Sequence, residues 1–272
     1  MKNKTLEFNS PTFKQRLKGM LGVDFYRLFH TPLFYIFLAI SAIIPAMIIG
    51  TTGMDGSQTG ALFTNVWQAI AVDKPIYVVE NIGQYANMNT VFIFGGIMVS
   101  IFIGHDYKSG YVKQLFTTHA KKQDYMMSKT LTCAFAMACM CITYLIGTIL
   151  AGALVGLSFS VNVWSLICAI LGKIIMSLGW ASLYVFLNII FRKQFWISII
   201  LCFFFGTGII IIGAGAILGN SAILNIFLYG SSVSACLSSG ILSVLTCLIV
   251  SVSWAVIYNV LGTHILNKSD VY

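Results

Sequence analysis

Between residues 33 and 266 the chain is a succession of long apolar runs that carry almost no charge. A run of about 20 mainly apolar residues is the length needed to cross a bilayer as a helix. Lipid offers the backbone no hydrogen-bond partners, so such runs must close their N–H and C=O groups inside helices. Only 9% of the residues are charged, against about 25% in a soluble domain. The expected fold class is therefore all-α: a polytopic membrane protein rather than a soluble enzyme.

Six spans are expected, at about 33–50, 88–104, 129–157, 164–190, 195–218 and 241–266, in one transmembrane domain covering 1–272. Residues 1–31 are polar and basic, but Phe13, Leu17, Met20, Leu21, Phe25 and Leu28 recur at helical spacing. That stripe predicts an amphipathic helix lying in the membrane interface. Pro32 opens the first span, and Pro45 is expected to kink it. The 51–87 connection is polar, with a short apolar stripe at Phe63, Trp67 and Ile70 that predicts a surface helix. The stretch 219–240 is uncharged but interrupted by glycine, serine and asparagine. It reads as a re-entrant pair of short helices before the last span, with a seventh span as the rival.

Basic residues set the orientation. Of sixteen lysines and arginines, all but Lys74 and Lys173 fall before the first span, at 105–129, at 192–193 or in the tail. With six spans, those positions share one side. Both termini are then expected in the cytoplasm of a multi-pass plasma-membrane protein. The 51–87 loop is extracellular and 105–128 is cytoplasmic. The formal charge of +8 thus reports topology, and no nucleic-acid partner is expected.

The 105–128 connection is the most informative segment. His105-Asp106-Tyr107-Lys108-Ser109-Gly110 leads into Tyr111-Val112-Lys113-Gln114-Leu115-Phe116, then to Lys121, Tyr125 and Lys129. It reads as a polar start, a glycine and a short helix with Val112, Leu115 and Phe116 on one side. Such a helix fits being pushed by another protein, and equally fits a solvated loop resting on headgroups. The segment resembles the permease subunits of type 2 ATP-binding-cassette (ABC) exporters. In that family an acidic residue ends the second span, a glycine and short apolar helix follow, and a lysine opens the third. Asp106, Gly110, Leu115, Lys121 and Lys129 occupy those places, although glutamate is commoner at the acidic one. The interfacial helix, the six-span plan and the interrupted segment before the last span extend the resemblance over nearly the whole chain.

The resemblance implies an elbow helix within 1–31 and an ATPase-coupling helix within 106–125. Asp106, Lys108, Gly110, Tyr111, Val112, Leu115, Phe116, Lys121 and Tyr125 are the residues expected to carry the coupling. It also implies an ABC ATPase dimer and a second permease subunit, the same chain or a homologue, with the first and fifth spans near their contact. No phosphate-loop motif G-x-x-x-x-G-K-[ST] occurs in the chain. No cofactor is therefore expected here, and ATP and Mg belong to the partner. Small systems of this kind resemble exporters of amphipathic peptides, including antimicrobial-peptide export and self-protection systems. An amphipathic peptide or lipid-like cargo, drawn from membrane lipid, is the expected substrate. Phe92, Phe94, Phe102, Phe203, Phe204 and Phe205 are its candidate wall, or equally a lipid-facing surface.

Lys173 stands well inside the fourth span, where a charge costs about 2.5–3.5 kcal/mol on insertion scales. It is the candidate for a substrate path or gate. Gly152/Gly156 and Gly215/Gly219 are small-xxx-small pairs that fit close helix packing. The seven cysteines read as apolar packing residues, and the four histidines have no metal-ligand spacing. Paired intramembrane carboxylates are missing, which weighs against an ion-coupled carrier. A non-transporting membrane scaffold or sensor is the remaining rival.

Overall fold

The computed structural model describes residues 12–52, 82–117, 120–155, 163–192, 194–208, 226–237 and 241–268. Among them the secondary structure is helical, without strands. We number the helices α1 (Phe13–His30), α2 (Pro32–Thr52), α3 (Ile82–Lys108), α4 (Tyr111–Thr117), α5 (Lys122–Val155), α6 (Val163–Ile190), α7 (Phe195–Thr207), α8 (Leu228–Leu237) and α9 (Ile241–Lys268). The surface helix expected near Phe63 and the Gly215/Gly219 pair lie outside the described residues, as do 219–225 and 238–240.

Stretches within α3, α5, α6 and α9 are long and apolar enough to cross a membrane, and the bent pair α1–α2 makes a fifth candidate span. The bend is 64° and falls where Pro32 takes the first helical position of α2. Proline fits there because its missing N–H would have no intrahelical partner. The α2 helix continues through Pro45 to Thr52. The helix carrying the second expected span begins at Ile82 rather than Met88, and the third begins at Lys122 rather than Lys129. Of the fifth expected span, 209–218 lie outside the described residues. Its helix stops at Thr207, where Gly208 adopts a left-handed φ of 71° and donates its N–H to the Phe205 carbonyl. The ring of Tyr229 occupies the space a β-carbon at Gly208 would need, so both conformation and packing favour glycine at this stop.

The core sits where α3, α5 and α6 meet, with Trp180 stacked on Phe92 at 5.5 Å and Met137, Met140, Met176 and Tyr184 wholly buried. Phe92 and Phe102 belong to this interior. They do not form the outward wall with Phe203 and Phe204, which are exposed on α7.

Hydrophobicity alone does not hold helices together in lipid, so small residues and polar side chains must contribute. Ser251 of α9 accepts the Gly179 N–H at 2.9 Å and donates to the Ile175 carbonyl at 2.6 Å, fastening α9 to α6. Asn188 of α6 donates to Ser100 of α3 at 3.0 Å. Thr130 of α5 donates to Asn259 of α9 at 3.1 Å. Trp254 Nε1 donates to the Ile226 carbonyl at 2.8 Å, which ties the segment before α8 to α9. Cys133, Cys139, Cys141, Cys168, Cys202 and Cys247 are free, and all but Cys139 are buried.

Candidate functional site: an ion-paired junction around the short helix α4

Four elements converge at the end of the bundle formed by the C-termini of α3, α6 and α9 and the N-termini of α5 and α7. The shared end is marked by the Lys108 ammonium lying 4.0 Å from the Phe195 ring centroid and by Lys122 Nζ donating to the Leu266 carbonyl at 2.5 Å. Here α3 ends, Gly110 turns the chain, α4 runs for two turns and α5 begins, while α1 packs across α5.

The α1 helix opens with Thr12, whose backbone N–H donates to Gln15 Oε1 at 2.9 Å, a capping-box contact. Phe13, Val23, Tyr26 and Phe29 are exposed, whereas Leu28 and Asp24 are buried. An interfacial helix with an aspartate on its inward face requires a partner for that charge. The partner is Lys129.

Lys129 has no exposed surface. Its Nζ lies 2.6 Å from Asp24 Oδ1 and 2.6 Å from Asp106 Oδ2. Arg27 Nη2 donates to the other oxygen of Asp106 at 2.5 Å, and Ser128 Oγ to the other oxygen of Asp24 at 2.6 Å. Two carboxylates and two cations thus form a neutral cluster that joins α1, the end of α3 and the start of α5. A second pair, Arg16 to Asp124 at 2.7 Å, links α1 to α5 again.

Aromatic rings enclose the cluster. The Arg27 guanidinium lies 4.1 Å from the centroid of Tyr111, the first residue of α4. Lys129 Nζ is 4.7 Å from the Phe102 ring centroid and 5.5 Å from that of Tyr111. Cation–π attraction is stronger when desolvated, up to about 2 kcal/mol. Burial, followed by the Asp24 charge, raises the Tyr111 phenol above its ordinary value of 10. The ring therefore faces the cations as a neutral phenol at physiological pH.

The α4 helix is anchored by its apolar side. Val112 is 1% exposed, Leu115 and Phe116 pack on the core, and Phe116 meets buried Tyr125 edge-on at 5.6 Å. Gly110, with φ of 72°, makes the turn that sets this face inward, and open space surrounds it. Lys113, Gln114 and Thr117 are exposed, as are Lys108, Ser109 and Lys121. Among the coupling residues expected from sequence, Val112, Leu115, Phe116 and Tyr125 thus position the helix. Outward on α4 stand Lys113, Gln114 and Thr117, none of them among the coupling residues expected from sequence because they belong to no apolar pattern, whereas the expected Lys108 and Lys121 flank the helix and are exposed. Asp24, Arg27 and Ser128 were not among them either, because nothing local marks a residue whose partner lies 79 to 105 positions away.

Lys173 lies apart from the junction, half-buried on α6, with its Nζ 5.8 Å from the Tyr144 ring centroid. Among the described residues no group of histidine, cysteine, aspartate and glutamate is arranged to hold a metal.

No curated protein sequence matches the chain at a significant level. A family model described as ABC-2 family transporter protein matches residues 23–209, a stretch that contains Asp24, Arg27, Asp106, α4 and Lys129. Members of that family are the membrane permeases of ABC transporters and associate with an ABC ATPase. The match covers more than half of the 272 residues, and this multi-pass membrane protein belongs to the ABC-2 transporter family.

Proposed function

We propose that the chain is the six-span permease half of an exporter. A separate ATPase dimer drives it, and it moves an amphipathic or hydrophobic cargo, with peptide of the antimicrobial kind the favoured class, by alternating access. A second permease subunit completes the pathway. Both termini and α4 face the cytoplasm, in keeping with the basic residues gathered at this end. The segment 219–240 forms an extracellular re-entrant hairpin. Its described helix α8 has ten residues and is about 15 Å long, half the hydrocarbon thickness. Exposed Tyr35, Ile36 and Ile43 of α2 and Trp196, Ile200 and Phe203 of α7 supply apolar faces for the partner permease.

One observation carries the reading. The short helix α4 rests its apolar side on the core and its Tyr111 ring on Arg27 and Lys129 of the ion cluster that joins α1, α3 and α5, while its polar side is exposed. A push on α4 therefore reaches three long helices at once. The test is affinity purification of the full chain from its native membranes. An ABC ATPase is expected to co-purify, and an amphipathic peptide to stimulate its ATP hydrolysis in liposomes. Lys113→Glu on the outward side of α4 should cut ATPase recovery about tenfold, the effect of one contact worth about 1.4 kcal/mol. Equal recovery with Lys113→Glu, or a chain that carries cargo without any ATPase, sinks the proposal.

Lys173 is assigned to the cargo path. Lys173→Leu should lower peptide-stimulated transport while leaving basal ATP hydrolysis and ATPase recovery intact. Unchanged transport would refute the assignment.

A further inference from the structure

A cavity of about 640 Å³ opens on the side of the bundle between α5, α6 and α9. Its volume falls in the range of small-molecule sites, about 300–1,000 Å³. The lining is graded along its length. Leu131, Leu178, Val252 and Val256 form the inner part, whereas Gln123, Thr263, His264 and Asn267 form the part nearest the helix ends. From Val252 to Asn267 the α9 wall rises roughly 22 Å. One leaflet is about 15 Å of hydrocarbon plus its headgroup layer, so the groove is as long as one leaflet is deep. Its polar part lies where the headgroups lie.

Among the described residues the charges at the rim have one sign. Lys122 precedes Gln123 at the start of α5, and its Nζ reaches the Leu266 carbonyl beside Asn267. Lys268 follows Asn267 and is exposed. Asp124, the nearest carboxylate in sequence among the described residues, is buried and paired with Arg16. Inside the groove, Asn259 accepts from Thr130 and donates to the Ala255 carbonyl at 2.7 Å. Thr263 donates to the Asn259 carbonyl at 2.8 Å. The Thr130, Asn259 and Thr263 side chains thus have partners within the protein, and an acyl chain can lie along them without orphaning those groups.

We propose that this groove is a binding site for one anionic phospholipid, with its headgroup between Lys122, His264 and Lys268 and an acyl chain against Leu131, Val252 and Val256. The apolar inner wall takes hydrocarbon, and the lysines at the rim select negative charge. The lipid bridges α5 and α9 near the start of α5, so the mobility of that helix responds to the lipid charge. This inference rests on the membrane placement of α5, α6 and α9 and is independent of cargo or ATPase.

The experiment uses the full chain reconstituted in vesicles of equimolar phosphatidylglycerol and phosphatidylcholine with identical acyl chains. Retained lipid is then weighed by native mass spectrometry. Phosphatidylglycerol should exceed phosphatidylcholine at least about fivefold, the gain expected from one surface lysine. Lys122→Gln with Lys268→Gln should bring the ratio towards that of the bulk. Val256→Trp, which fills the groove from an exposed position, should remove the retained lipid while the melting curve is unchanged. A wild-type ratio equal to the bulk overturns the proposal. So does enrichment that persists in the double glutamine variant, or lipid retention undiminished in a folded Val256→Trp protein. If the tryptophan variant does not fold, the wild-type and double-glutamine ratios decide by themselves.

Discussion

Lys129→Met should destabilise the protein by about 3–5 kcal/mol, the usual cost of removing one partner from a buried ion pair. The methionine fills a similar volume, so the loss comes from charge rather than from a void. Asp24 and Asp106 are each within 2.6 Å of the ammonium. Without it, two carboxylates face each other in a dry site with only Arg27 and Ser128 to answer them. Asp24→Asn should cost less, about 1–3 kcal/mol, because Lys129 keeps Asp106 and the cluster retains an amide at Asp24. Thermal unfolding of the purified chain in detergent gives the order of the two variants. If Lys129→Met melts with the wild type, the cluster does not join the helices. Where Lys129→Met folds, ATP hydrolysis by the bound partner should respond less to cargo, since α1, α3 and α5 would no longer share the charge contacts that lie against Tyr111 of α4.

The second large effect is expected at Gly147, within α5, where the sequence shows only a glycine in an apolar run. A β-carbon there would run into the Ala42 carbonyl and its neighbouring backbone atoms on α2. Backbone cannot rotate aside as a side chain can, so α2 and α5 would have to separate along one of the larger packing contacts in the bundle. Gly147→Leu should therefore cost about 3 kcal/mol or more and abolish recovery of a single monodisperse species. Gly19→Ala on α1, where a new methyl meets open space, is the matched control and should fold normally. Size-exclusion profiles of the two variants measure the difference. A monodisperse Gly147→Leu protein would show that α2 does not pack on α5 at this point.

Close approach at Gly147 also shows where reading patterns from sequence reached its limit. The pair Gly152 and Gly156 matches the small-xxx-small spacing, and Gly156 lies outside the described residues; the described contact with α2 is made five residues before Gly152, by Gly147. Spacing identifies a helix face that could approach another. Which neighbour arrives, and at what height, depends on the lengths of the connections and the bend before α2. Likewise the apolar side of α4 was legible from Val112, Leu115 and Phe116, and its natural reading was a surface for a partner. In the fold that side is consumed by the core, because Gly110 turns the helix so that its apolar face lies against Tyr125.

The sequence by itself determined the class of solvent, the helical class and the approximate place of each long apolar run. It also determined which end of the bundle is basic. Each of these follows from composition along a line: lipid forbids unpaired backbone, and charge is excluded from the middle of a helix that crosses it. Tertiary structure alone decided that an aspartate on α1, one at the end of α3 and a lysine near the start of α5 share a single site, and that α7 stops at Gly208. It also decided that the groove between α5, α6 and α9 is graded from apolar to basic. These are properties of distance between residues remote in the chain, and a local pattern carries no information about the partner that satisfies a buried charge or the ring that fills the space beside a glycine.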